Sequence, residues 1–112
     1  MTTDFFDRDG NPIPDDYYNT QKYGRKYRWG TEKRVARTVV GDITVSTVWL
    51  GLDHDYLTGV PVIFETMTFG EPWENELERY STELDAMRGH LRVVERLRTG
   101  KPPFSFLDGE NE

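Results

Sequence analysis

At 112 residues the chain is long enough for one small domain, and it carries no cysteine, which excludes disulfides and thiolate metal sites. Its formal charge of −6 excludes a uniformly basic surface of the kind that holds bulk nucleic acid. No apolar run approaches the roughly 18 residues of a membrane span, and the polar, acidic N-terminus argues against a signal peptide.

Apolar residues make up 36% and charged residues 30%, the balance of a small globular protein with polar ends. Fifteen aromatics, 13% of the chain, supply much burial area per residue and compensate for a thin core. The charge is segregated. Residues 22–37 carry seven basic side chains against the single acid Glu32, a segment of +6 inside a remainder of −12. Such an island can bind an anion locally while its surroundings repel nucleic acid.

Taken in order, Asp9-Gly10-Asn11-Pro12 is a turn signal flanked by Phe5, Phe6 and Ile13, and predicts a short hairpin or irregular arm. Pro14-Asp15-Asp16 has the chemistry of a helix start, and a short helix to about Lys26 follows, with Gly24 against a longer one. A first strand is expected from Val35 to Val40 and a two-residue hairpin at Gly41-Asp42. A second strand runs from Ile43 to about Leu52, with Ile43, Val45, Thr47 and Trp49 on one face. Its second half is apolar on both faces, which predicts a central strand. Asp53 to Gly59 is a loop. A third strand starts near Pro61 and ends at Phe69; Val62, Phe64, Thr66 and Thr68 face one way, and Ile63, Glu65, Met67 and Phe69 the other. Gly70-Glu71-Pro72 ends it, and a short fourth strand is expected near Glu78 to Tyr80. Thr82 with Asp85 three residues on opens a helix over Glu83–Arg98, whose apolar stripe is Leu84, Met87, Leu91, Val94 and Leu97. Gly100 and Lys101-Pro102-Pro103 stop it. Phe104, Phe106 and Leu107 are placed to fold back on the core, and the acidic tail Asp108 to Glu112 is expected to be disordered.

These elements specify an α+β fold in one domain over residues 1–107. It is a small antiparallel β-meander of three or four strands with one C-terminal amphipathic helix packed on it. The N-terminal hairpin and short helix cover an edge or the other face.

Several of these runs carry a resemblance. Arg34-Val35-Ala36-Arg37-Thr38, Val45-Ser46-Thr47-Val48-Trp49-Leu50-Gly51-Leu52-Asp53-His54, Phe64-Glu65-Thr66-Met67 with Phe69, and Arg79-Tyr80-Ser81-Thr82 with Ala86 and Gly89-His90 stand in that order, after Asp9-Gly10-Asn11-Pro12-Ile13. Over about residues 7–91 the combination resembles a family of small uncharacterised proteins of bacteriophages and some bacteria, especially of actinobacterial type. The resemblance implies a phage or prophage accessory protein working in a bacterial cytoplasm, and no particular activity. Residues 22–30 fit the pattern less well.

Two constellations can carry chemistry. The first combines Asp53, His54 and Asp55 with Glu65 and His90, the chain having only these two histidines. A helix packed across the sheet would bring His90 towards the face bearing Glu65. Two imidazoles and carboxylates can hold a divalent ion such as zinc or manganese, or form an acid–base pair. No HxxxH spacing is present, and the plainer reading makes His54 and Asp55 turn caps and His90 a hydrogen-bonded core histidine. Glu65, among Ile63, Met67 and Phe69, needs a cation, and Arg37 or Arg79 is placed to supply it. Gly89 falls off the predicted stripe, where a close contact with the N-terminal segment or a partner chain would justify it. The second constellation is the island at 22–37, in which Arg25, Lys26 and Arg28 suit phosphates and Tyr27 and Trp29 suit stacked bases. Its plainer reading is pairing with the acidic remainder of the same chain or of a second copy.

Three functions follow. The leading one is a small non-catalytic accessory protein that binds a host or phage protein or other macromolecule, an inhibitor of a host factor or defence being one version. The second is a nucleotide or single-stranded nucleic-acid binder through the island, and the third a small metal-dependent hydrolase using His54, Glu65 and His90. No cofactor is expected, a divalent metal being the one candidate. No membrane contact is expected, and a homodimer stays open.

Overall fold

The computed structural model describes residues 6–12, 33–51 and 60–108. Among these residues four strands, β1 (Arg34–Val40), β2 (Ile43–Trp49), β3 (Phe64–Phe69) and β4 (Leu77–Tyr80), precede one helix, α1 (Glu83–Arg98), and a 3-10 turn at Ser105–Leu107. The sheet is an antiparallel meander in the order β1-β2-β3-β4, with α1 across one face. The α+β class read from the pattern is therefore the fold of the chain. No described helix is long and apolar enough to cross a membrane. The hairpin closes on Val40 opposite Ile43, as the Gly41-Asp42 signal requires. β3 begins at Phe64 rather than at Pro61, since proline has no N–H to give a ladder. Ile63 nonetheless bonds both neighbours, accepting from Leu50 N (2.7 Å) and donating to Tyr80 O (3.0 Å).

Register decides what lies under the helix. Trp49, Phe64 and Tyr80 stand side by side across β2, β3 and β4, and Thr47, Thr66 and Glu78 form the next row. One apolar cluster joins Phe6, Trp49, Ile63, Phe64, Tyr80 and Ala86; the other joins Val45, Val93, Val94 and Phe104. Each fully buried large side chain contributes about 1.5–3 kcal/mol. The threonine row lies between the two clusters, so the core is apolar at both ends and polar across the middle.

The helix is capped as its sequence requires. Thr82 accepts from Asp85 N (3.1 Å). At the other end Lys101 N donates to Arg96 O (2.8 Å) and Gly100 N to Leu97 O (3.1 Å), the Schellman pairing, with Gly100 at φ +81°. The buried face, however, meets the predicted stripe only in its C-terminal half, at Val94 and the partly buried Leu97. Ala86, Gly89, His90, Val93 and Val94 face the sheet, while Leu84, Met87 and Leu91 are 58%, 47% and 66% exposed. Two side chains set this rotation. The Tyr80 ring fills the place a Cβ on Gly89 would take, and His90 is hydrogen-bonded to the sheet.

Phe6 enters the core beside Trp49, whose Nε1 donates to Phe6 O (3.0 Å), and Phe6 N donates to Gly51 O (2.7 Å). The turn that follows is closed by Asp7, whose Oδ1 accepts from Asn11 N (2.8 Å). Arg8 ties it to α1 through both Glu83 oxygens (2.8 and 2.9 Å). This arm thus seals the end of the sheet against the helix N-terminus. Phe104 folds back into the core as expected and Leu107 packs beside it, but Phe106 stacks on Phe104 from outside and stays exposed. Asp108 is paired with Arg96. The proposed helix after Pro14 and the loop after Leu52 fall outside the described residues.

Candidate functional site

A row of polar groups runs beneath the helix from β1 to β4. His90, 2% exposed, has both ring nitrogens engaged: Nε2 meets Thr38 Oγ1 on β1 and Nδ1 meets Thr47 Oγ1 on β2, each at 2.8 Å. Thr47 Oγ1 meets Thr66 Oγ1 at 2.5 Å. The Thr66 hydroxyl comes next in the row, close enough to act on the Tyr80 hydroxyl. That hydroxyl donates to Glu78 Oε1 (2.8 Å), which also receives Arg92 (3.1 Å). The direction of donation follows from the end of the chain. An ionised carboxylate only accepts, so the Tyr80 proton goes to Glu78. With the Thr66 proton directed at the Tyr80 oxygen, Thr47 donates to Thr66 and the Nδ1–H of His90 to Thr47. Nε2 is left to accept from Thr38. A neutral imidazole with its proton on Nδ1 satisfies every member. Burial pushes the His90 pKa below its ordinary value of 6.5 and pushes the Tyr80 hydroxyl well above its usual range.

Glu65 stands on the opposite face of the sheet, paired with Arg79 on β4 (3.0 Å) and not with Arg37. His90 and Glu65 are thus separated by the sheet, and the expectation that the helix would bring them together is corrected by the two-residue alternation of β3. No group of three or more potential metal ligands occurs among the described residues. Asp53, His54 and Asp55, and Arg25, Lys26, Tyr27, Arg28 and Trp29, lie outside them. Of the island, Lys33, Arg34 and Arg37 are described, and their side chains make no ion pair among the described residues.

The polar chain ends at the surface in a groove of about 400 Å³ between β4 and α1. Tyr80, Ser81 and Glu78 line its strand side; Asp85, Arg88 and Arg92 line its helix side. Glu78 is neutralised where it stands by Arg92 and the Tyr80 hydroxyl. Arg88 has no ion pair among the described residues. A smaller hollow of about 280 Å³ by the β1–β2 turn mixes Asp42, Glu71 and Lys101 around Trp73.

The sequence did not single out this groove. Its strand side and helix side come from a short edge strand and from a helix face whose rotation was read differently. Arg88 and Arg92 at i, i+4 are the one signal that marks it. Comparison with known proteins finds no matching family, no matching curated protein and no matching solved structure.

Proposed function

We propose that the chain is a small non-catalytic accessory protein of bacteriophage or prophage origin that acts in the bacterial cytoplasm by binding a host or phage protein. The observation that carries this reading is where its unspent groups lie. The described histidine has both nitrogens committed to threonines in the core. Leu84, Met87, Leu91 and Phe106 instead stand exposed, and Arg88 faces an open groove. Apolar and arginine side chains presented on a rigid element are the material of contact surfaces. The motif resemblance to phage and prophage proteins supports the origin. The test is affinity purification from a bacterial host at low and at high salt, with mass spectrometry and absorbance at 260 nm. A stoichiometric protein that survives high salt supports the reading; a chain that purifies alone from every candidate host opposes it.

A second reading, a nucleotide or single-strand binder through residues 22–37, is favoured by Lys33, Arg34 and Arg37, which make no ion pair among the described residues. It predicts co-purifying nucleic acid that washes away with salt. Charge reversal at Arg25, Lys26 and Arg28 should abolish the binding, and unaltered binding would end this reading.

A further inference from the structure

The geometry points to the groove between β4 and α1 as the docking site for an extended acidic peptide segment, added to the sheet as a fifth strand. The inference deepens the binding reading above and rests on it.

β4 is the edge of the sheet. Thr68 N donates to Glu76 O (2.9 Å), Thr66 is opposite Glu78, and Ile63 N donates to Tyr80 O (3.0 Å). In an antiparallel ladder the residues between these turn their backbone groups the other way. The N–H and C=O of Leu77 and Arg79 therefore point outwards, and they meet no partner among the described residues. They offer an incoming strand a short, regular hydrogen-bonding template.

Beside this edge the molecule is concave, because α1 overhangs it. Tyr80 can slide beneath the helix only because position 89 is glycine. On the floor of the groove so made, the Tyr80 hydroxyl is tied to Glu78 and Glu78 to Arg92. Its charge then selects the occupant. Glu78 is already neutralised by Arg92 and the Tyr80 hydroxyl, and Asp85 lies in the first turn of α1 beside the positive end of the helix dipole. Arg88 is left over, one turn from Arg92. Four residues of helix rise about 6 Å, and two residues of strand span roughly 6.7 Å. Carboxylates at alternate positions of an added strand match the two guanidiniums. The side chains between them would point to the face that carries Leu77 and Arg79.

The test is selection from a displayed library of random ten-residue peptides on the full chain. The recovered peptides should carry Asp or Glu at alternate positions. Their affinity should fall at least tenfold on Arg88→Glu with Arg92→Glu. N-methylation of alternate amides should abolish binding in one parity and spare it in the other, which separates strand pairing from side-chain attraction. A recovered set without acidic bias, binding indifferent to N-methylation in both parities, or no binder at all would overturn the inference. The folding of the double variant is checked by its circular dichroism and melting. Arg88→Gln alone, on the exposed helix face, should still weaken binding severalfold. A host protein that co-purifies equally with wild type and the double variant would leave the binding reading standing and place the contact elsewhere, overturning this inference alone.

Discussion

Gly89 and Tyr80 occupy one volume: a Cβ on Gly89 would fall on the Tyr80 hydroxyl and ring. The glycine is the reason the edge strand can send an aromatic ring under the helix, and the ring in turn fixes which face of α1 meets the sheet.

Gly89→Ala should therefore destabilise the protein, against helix propensity, which alone would stabilise it by about 1 kcal/mol. Forcing a methyl into a filled site costs about 1–3 kcal/mol, and Tyr80 is packed in the core and held by Glu78 rather than free to swing away. Urea denaturation gives the sign. In a Tyr80→Ala background the same change should become stabilising, since the obstruction has gone. A higher midpoint for Gly89→Ala in the wild-type background would show that the contact is dispensable.

His90 makes stability depend on pH. Its pKa is lowered by burial, so the unfolded chain binds the proton more readily than the folded one. Its contribution is complete above the unfolded value near 6.5 and is lost as pH falls from there through the folded pKa. Urea midpoints taken between about pH 7.5 and 5.5 should fall more steeply for wild type than for His90→Gln. Equal slopes would mean that His90 titrates alike in both states.

The threonine chain should behave as a unit. Thr47→Val keeps the shape but leaves His90 Nδ1 and the Thr66 hydroxyl each short of a partner, at a cost of about 1–3 kcal/mol. Adding His90→Leu should then cost much less than His90→Leu alone, because the partners are already lost. A double-mutant cycle should give a coupling of about 0.5–3 kcal/mol; additive losses would contradict a connected chain.

Much of the sheet was legible because strand patterns are local. The alternation over Ile43 to Trp49 and over Phe64 to Phe69 marks the helix-facing side residue by residue, and Gly41-Asp42 fixes the register between β1 and β2 from Val40 back to Ala36, beyond which it shifts at a bulge. The helix was legible in its ends and not in its rotation. Leu84, Met87 and Leu91 form the most apolar line on the wheel, but the face that packs is chosen by Gly89, which admits Tyr80, and by His90, which finds two threonines. Both are relations across the sheet, and no helical periodicity contains them. What separates His90 from Glu65 is which face of the sheet the helix covers, since the alternation of β3 already sets Glu65 opposite Phe64, Thr66 and Thr68. The cation for Glu65 was a choice between Arg37 and Arg79, and register decides it, since Arg79 lies directly opposite on β4.

The rotation of α1 gives the last prediction its contrast. If Leu84, Met87 and Leu91 were core residues, Leu91→Gln would cost several kcal/mol, as the loss of a buried leucine does. Leu91 is 66% exposed, so the change should stay within about 0.5 kcal/mol. Val93, two positions on and fully covered, reads as an unremarkable wheel position in the sequence. Val93→Ala should nonetheless cost about 2 kcal/mol, from two lost methyl groups and the space they leave. Chemical denaturation of the two variants side by side tests the packing face directly. A Leu91→Gln loss that grows with protein concentration would show instead that the exposed line is covered by a second copy, and sedimentation of wild type and variant would then differ.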